Sequence, residues 1–292
     1  MNFSKITLEK IDELRPYFLK NECRICDFTL GGTLMWRDLH GTEYAIKDGI
    51  LYFRTNHPIV AFAPPMGPNI GEKEYREILD FCAAEGIAPQ MVSVSEKIKE
   101  DILKMFPDSE ARTDEAWSDY LYLSEDIKEL SGKKFSGQRN QINKFLRDNI
   151  FWKFEAITPE NIPQVKEFFE RHALEHVKDS ETYTEGNKKA VEVLENMDIY
   201  NVSGGVLSAG STIVGASLGE VVGDTLYIHI EKADISFRGA YQMLSNQFAL
   251  MYATDEVKYI NREEDDGDEG LRKSKQSYHP VELLVKYVMK IT

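Results

Sequence analysis

Residues Thr212–Glu231 read Thr-Ile-Val-Gly-Ala-Ser-Leu-Gly-Glu-Val-Val-Gly-Asp-Thr-Leu-Tyr-Ile-His-Ile-Glu. The stretch is rich in β-branched and aromatic residues and is broken by the turn signal Val222-Gly223-Asp224. It therefore predicts two antiparallel strands, Thr212–Glu220 and Thr225–Glu231. Upstream, Asn201–Leu207 predicts a third strand, joined through a hairpin at Ser208-Ala209-Gly210. Downstream, Tyr241, Leu244, Phe248 and Met251 recur at helical spacing and predict a helix over Gly239–Tyr252, followed by a strand over Val257–Arg262. Three antiparallel strands, a crossover helix and a last strand parallel to the third make a mixed sheet.

The N-terminal half suggests the same order more faintly. A helix is expected over Thr7–Lys20, then strands over Thr33–Arg37, Tyr44–Lys47, Ile50–Arg54 and Val60–Ala63. A helix at Glu72–Glu85, a strand at Met91–Val94, a helix at Ser95–Met105 and a strand at Tyr120–Leu123 complete it. Between the halves come helix Ser136–Asp148, strand Phe151–Ala156 and helices Pro159–His176 and Asn187–Met197; helix Asp268–Gln276 and strand Pro280–Met289 close the chain. The polar stretch Ser124–Lys134 marks a boundary, giving domains 1–130 and 131–292. This order is that of the acetyltransferase (GNAT) fold. The expected class is α+β (mixed α/β): two tandem acetyltransferase-like domains, each a mixed, mainly antiparallel sheet flanked by helices.

The chain has 292 residues, 42% apolar and 11% aromatic, enough for extensive cores. Its net charge of −14 argues against non-specific coating of nucleic acid, which needs a clustered basic surface. No apolar run approaches the roughly 18–20 residues of a membrane span, and MNFSKITLEK has no apolar signal core, so a cytoplasmic protein without a membrane span is expected. Three cysteines give no disulfide framework. Cys23 and Cys26 form a C-x-x-C without a second ligand pair, which reads better as two reduced thiols than as zinc.

Four segments carry chemistry. On Thr225–Glu231, alternation puts Tyr227, His229 and Glu231 on one face. There His229 with Glu231 suits general-base work, against the alternative of a satisfied core histidine with Glu231 paired to Lys232. The polar run Tyr259–Tyr278 starts in a strand and ends in a helix. It places Asn261, Arg262 and Glu263 at a strand's C-terminal end, where open α/β sheets hold ligands, with Arg272, Lys275 and Tyr278 following; the alternative is a solvated acidic turn. Arg238-Gly239 opens a helix and can receive an anion, or simply start the helix. Arg139, Asn143 and Arg147, with Asn140 and Lys144 beside them, form a basic stripe suited to phosphate or carboxylate, or an ordinary exposed helix face.

Other signatures are weaker. His172-Ala-Leu-Glu-His176 matches H-x-x-E-H, although histidines at a helix end also meet its dipole. Calcium is disfavoured, because no register places acids at loop positions one, three and five with glycine at six. Phosphate-binding and nucleophile-elbow glycine motifs do not occur.

The segments GKKFSGQRNQINKFL (Gly132–Leu146), GGVLSAGSTIVGASLGE (Gly204–Glu220), IHIEKADISFRGAYQ (Ile228–Gln242) and YINREEDDGDEGLRKSKQSYHPVELLVKY (Tyr259–Tyr287) resemble an uncharacterised bacterial family. That family is related to the C-terminal domain of phosphatidylglycerol lysyltransferases. The resemblance implies a tandem acetyltransferase-like fold akin to Fem-type peptidyltransferases, with a groove leading an aminoacyl ester to an amine or hydroxyl acceptor.

The expected function is an acyl- or aminoacyl-transferase using an anionic donor, aminoacyl-tRNA or acyl-CoA, and a small-molecule or peptide acceptor. Glu231 would be the base, aided by His229, and Tyr278 would protonate the leaving group. Arg139, Lys144, Arg262, Arg272 and Lys275 would hold the anion. The alternatives are a binding module that keeps the fold and holds a small anionic ligand, and a zinc hydrolase. No resident cofactor is expected.

Overall fold

A computed structural model describes residues 1–19, 22–175 and 181–292, the side chains of 181 and 182 excepted. Contacts divide the chain into two compact units: Met1–Asp119 with Glu264–Gly267 and Leu283–Thr292, and Tyr120–Glu263 with Asp268–Glu282. The division differs from a single cut between 130 and 131, because two strands of the chain cross from one half to the other's sheet.

The first unit contains β1 (Ser4–Lys5), β2 (Glu43–Lys47), β3 (Ile50–Thr55), β4 (Ala61–Phe62), β5 (Gln90–Val94) and β6 (Glu110–Thr113), with helix α1 (Glu72–Glu85) crossing from β4 to β5. The second sheet takes β7 (Asp119–Leu123) from the N-terminal half. It adds β8 (Trp152–Ala156), β9 (Ser203–Ala209), β10 (Thr212–Val222), β11 (Thr225–Ala233), β12 (Tyr259–Asn261) and β13 (Glu282–Leu284). Its helices include α2 (Ser136–Asp148), α3 (Ala240–Tyr252) and α4 (Glu269–Gln276). The last strand, β14 (Tyr287–Lys290), returns to the first sheet, between β5 and β6.

The strand orders are β1-β2-β3-β4-β5-β14-β6 and β13-β7-β12-β11-β10-β9-β8. In each, antiparallel strands lead to one parallel pair made through a crossover helix: β4 with β5, and β11 with β12. The arrangement expected from the element order is present, as two mainly antiparallel sheets flanked by helices. Ile50, Phe62, Met91 and Met289 lie in the first core; Phe145, Leu207, Ala233 and Leu244 lie in the second, beneath α3.

Several local expectations fail for identifiable reasons. Thr33–Arg37 is not a strand. Thr29 caps a helix over Leu30–Met35, accepting a hydrogen bond from the Gly32 N–H at 3.0 Å. A Cβ at Gly32 would lie 2.3 Å from the Cys26 carbonyl oxygen, so this turn closes around a glycine. The first helix breaks into short pieces, Leu8–Lys10, Ile11–Leu14 and Arg15–Phe18, because Pro16 cannot donate within a helix; residue 20 lies outside the described residues. The strand over Pro280–Met289 is two strands serving two sheets. Met251 is exposed, and α3 instead buries Met243, Leu244, Phe248 and Ala249. β6 and a helix over Ser124–Glu129 had no sequence signal of their own. No helix among the described residues is long and apolar enough to cross a membrane.

Candidate functional site

Everything in the second unit's site follows from one irregularity of its sheet. β11 and β12 pair in parallel for three residues only, Thr225 with Tyr259, Leu226 with Ile260 and Tyr227 with Asn261. β11 then runs on to Ala233 while the chain after Asn261 turns aside. Glu263 adopts a left-handed backbone (φ +57°), and its N–H donates to Asn261 Oδ1 at 2.6 Å. Lys275 of α4 fixes the same turn, its Nζ donating to the Arg262 and Glu263 carbonyls at 2.6 and 3.2 Å. β7 holds it from the other side through Arg262 N–H to Tyr120 O, 3.1 Å, and Tyr120 N–H to Glu263 O, 3.2 Å.

Charged side chains fill the gap between the parted strands. His229 is buried and donates from Nδ1 to Glu263 Oε1 (2.7 Å) and from Nε2 to Glu220 Oε1 (2.9 Å). Burial by itself lowers an imidazole pKa, but the two carboxylates outweigh it and raise this one from 6.5 to about 10. His229 is thus an imidazolium at neutral pH and cannot accept a proton there; the expectation that it assists as a base is corrected by its second carboxylate. Glu231 pairs with Arg262 rather than with Lys232. Lys232 instead donates to Asn187 Oδ1 at 2.7 Å, and burial lowers its pKa to about 8.

Arg262 is buried in an aromatic sleeve, 4.9 Å from the Tyr278 ring centroid and 6.0 Å from that of Tyr122. Burial pushes the Tyr278 phenol up to about 12, so it keeps its proton at neutral pH. Among the described residues, Glu231 Oε1 and Arg262 Nη1 are buried without a hydrogen-bond partner. Orphaned buried polar atoms are costly and uncommon. One buried acceptor and one buried donor therefore stand unsatisfied beside the parting strands.

The second feature is a pocket of about 360 Å³ at the N-terminus of α3, lined by residues of α2 and of the β11–α3 loop, among them Gln141, Lys144, Phe237, Arg238, Gly239 and Tyr241. Gly239 has φ +86°, and a Cβ there would sit 2.1 Å from the Gln141 carbonyl oxygen. Only glycine lets α3 start this close to α2. The first-turn residues Ala240, Tyr241 and Gln242 line the pocket, where a helix offers N–H groups and the positive end of its dipole. Lys144 and Arg238 add two cations with no carboxylate partner among the described residues.

The structure thus brings together Glu231, His229, Asn261, Arg262, Glu263, Lys275 and Tyr278 at the parting strands, and Lys144, Arg238 and Gly239 at the pocket. It separates the others from these groups. Arg139 braces the preceding loop, donating to the Leu130 and Gly132 carbonyls. Asn140 and Asn143 are exposed on α2, and Arg272 is half-buried on α4. Sequence reasoning missed Glu220, Tyr122 and Tyr241. The signal for Glu220 was present, as the one acidic residue in the apolar run Thr212–Val222. His172 is buried against Phe168 and belongs to no cluster of metal-ligating side chains among the described residues; His176 lies outside them.

The first unit holds a separate ionic cluster. Lys286 Nζ lies 2.6 Å from Asp27 Oδ2, 2.7 Å from Asp119 Oδ1, 2.9 Å from Glu264 Oε2 and 3.3 Å from Cys26 Sγ. Cys26, Asp119 and Glu264 have the spacing of metal ligands, but the lysine ammonium stands among them as their cation. Cys23 and Cys26 are free thiols, both pushed up by burial.

Residues 22–290 match the family described as phosphatidylglycerol lysyltransferase, C-terminal. The chain belongs to this family. Among solved structures it is similar over its whole length to a conserved protein of unknown function from Bacteroides thetaiotaomicron VPI-5482, with a TM-score of 0.93, 30% identity and 100% of both chains covered. It shares the fold of L-PGS from Bacillus licheniformis, with a TM-score of 0.63 and 14% identity over 97% of this chain and 90% of that one. It is also 24% identical over 189 residues to the uncharacterized protein MYCGA3080 of Mycoplasmoides gallisepticum. That match takes in 61% of this chain and 57% of the relative's length.

Proposed function

We propose that the second unit transfers an acyl or aminoacyl group from an anionic donor to an amine or hydroxyl acceptor beside the point where β11 and β12 part. The observation that carries this reading is the unsatisfied pair of buried atoms, Glu231 Oε1 and Arg262 Nη1, in the same unit as a cationic pocket at a helix N-terminus. Membership of a family named for a lysyltransferase supports an aminoacyl group as the cargo.

In this reading the donor's phosphates lie at the first turn of α3, neutralised by Arg238 and Lys144. Acyl-CoA and aminoacyl-tRNA both present such phosphates. Arg262 Nη1 donates to the acyl carbonyl as charge develops on its oxygen. Glu231 Oε1 takes the proton from the attacking amine or hydroxyl. The new C–N or C–O bond forms, the donor's ester or thioester bond breaks, and Tyr278, which holds its proton, supplies one to the leaving group. Imidazolium His229 keeps Glu263, and with it the Arg262 turn, in place.

Incubation with aminoacyl-tRNAs or acetyl-CoA and a mixture of amine and hydroxyl acceptors tests this by acyl release. Glu231→Gln should lower kcat by about a hundredfold or more, in line with loss of a positioned base. Arg238→Gln should raise the KM for the donor and leave kcat close to its original value. Full turnover by Glu231→Gln refutes the base assignment. A second reading, a binding module, is favoured by the engagement of Glu231 and His229 in ion pairs. It predicts thermal stabilisation by the anionic donor with no acyl release.

A further inference from the structure

The last residues of β11 are Glu231, Lys232 and Ala233, past the point at which β12 has left its edge. Neighbouring side chains on a strand leave opposite faces of the sheet, so Lys232 points away from the Glu231–Arg262 pair. It is half-buried against the helix over Glu181–Glu195. Its Nζ donates to Asn187 Oδ1 at 2.7 Å and stands 5.6 Å from the centroid of the Tyr183 ring. Ala216, opposite it on β10, adds only a methyl group. Among the described residues no carboxylate pairs with this lysine.

An ammonium carries three donors and no acceptor, and among the described residues one acceptor meets it here. The neutral amine suits such a place better, since it gives one N–H to Asn187 and keeps a lone pair. Burial accordingly lowers the pKa to about 8. At pH 7 about one chain in ten then holds the neutral amine, against about one in three thousand for an ordinary lysine. Lys232 also lies near the pocket at the start of α3. The phenol of Tyr241, which lines that pocket, is hydrogen-bonded to the Ala233 backbone and lies within electrostatic reach of Glu231 and Tyr183. One side chain therefore connects the pocket with the strand end that carries the amine.

We infer that Lys232 is a self-acylation site, whose Nζ takes the acyl group of a thioester. The neutral nitrogen adds to the acyl carbonyl carbon. The C–N bond forms, the C–S bond breaks, and the proton lost from nitrogen goes to the departing sulfur. A thioester is the class of donor that fits, because a thiolate, the conjugate of a thiol of pKa about 8.5, leaves far more readily than an alkoxide. The product suits its surroundings as well. An amide keeps a single N–H for Asn187 Oδ1 and sheds the charge that burial disfavours. The inference rests on the transferase reading only for the donor's route to the amine, by way of the pocket at α3; it needs neither an external acceptor nor Glu231 as a base.

Incubation of the full chain with acetyl-CoA, and separately with the uncharged thioester S-acetyl-N-acetylcysteamine, tests the proposal by peptide mass spectrometry. Lys232 should gain an acetyl group about tenfold or more faster than the exposed Lys97 with either reagent, and the preference should vanish in the urea-unfolded chain. Its rate should climb with pH and level off above about pH 8, whereas an ordinary lysine gains reactivity up to about pH 10. Arg238→Gln should slow labelling by acetyl-CoA severalfold and leave labelling by the uncharged thioester as it was. Labelling of Lys232 no faster than that of Lys97 with both reagents, or a rate that keeps rising to about pH 10, overturns the proposal. Fast labelling by both reagents that Arg238→Gln does not alter upholds Lys232 as the acylated residue, and refutes instead the seating of the donor at α3.

Discussion

His229 illustrates how a single side chain changes role once its neighbours are known. With one carboxylate a histidine can be tuned as a base; with one on each ring nitrogen it becomes a permanent cation. Its pKa is about 10 in the folded chain against 6.5 as a free group. The stabilisation it contributes is therefore complete below about pH 6.5, declines above that, and is lost as pH passes about 10. Nuclear magnetic resonance of the labelled imidazole should show both nitrogens protonated throughout neutral pH. His229→Gln should destabilise the chain by about 3–5 kcal/mol at pH 6, since two buried carboxylates lose their counter-ion. By pH 10 most of that difference should be gone. A histidine that titrates near its ordinary value would contradict the assignment. Gly239 makes a simpler case. Gly239→Ala must adopt a left-handed backbone and displace the Gln141 carbonyl, so it should cost about 2 kcal/mol or more in urea unfolding.

At the scale of elements, the parting of β11 from β12 matters more than any one strand. The strand order was legible in the sequence because Thr212–Glu231 alternates cleanly and α3 has a strong apolar stripe. That Arg262 pairs with Glu231 was not: the sequence offered Lys232, the next residue, as the partner of that carboxylate. Nor was the site's closure. It depends on Lys275, read as a ligand-binding cation, turning inward to the carbonyls of Arg262 and Glu263, a contact that spacing on α4 cannot reveal. The glycine turn at Gly31-Gly32 was likewise invisible, because apolar residues beside glycine suit a short strand as well as a capped helix. Lys275→Met keeps the stem of the side chain but removes both hydrogen bonds. It should lower the melting temperature by several degrees and loosen the Arg262–Glu263 turn, raising hydrogen exchange at the Glu263 amide selectively over β10 amides. Uniform exchange across the sheet would show that the lysine does not set this turn.

At the scale of the whole chain, the ends are tied together by charge. Lys286, just before the last strand, gathers Asp27, Asp119 and Glu264 from three distant parts of the sequence into one unit. No local pattern could announce this, since each acid is unremarkable in its own segment. Although burial opposes ionisation, Lys286 and hydrogen bonds hold Glu264 down to about 2. Burial and the neighbouring carboxylates raise Asp119 to about 7 against the pull of the same lysine. Glu264 thus contributes stability that is present above about pH 4.5 and is lost as pH falls toward 2. Lys286→Met should remove that contribution and leave the buried Asp119 without its counter-ion, beside the half-buried Asp27 and Glu264, at a cost of about 3 kcal/mol at pH 7. The acids of the variant can then take up protons more readily than those of the original chain. Urea midpoints measured from pH 7 down to pH 4 should therefore converge, the variant losing less stability to acid than the parent. Parallel curves with a constant gap would mean that Lys286 contributes its packing alone, and that the three carboxylates do not depend on its charge.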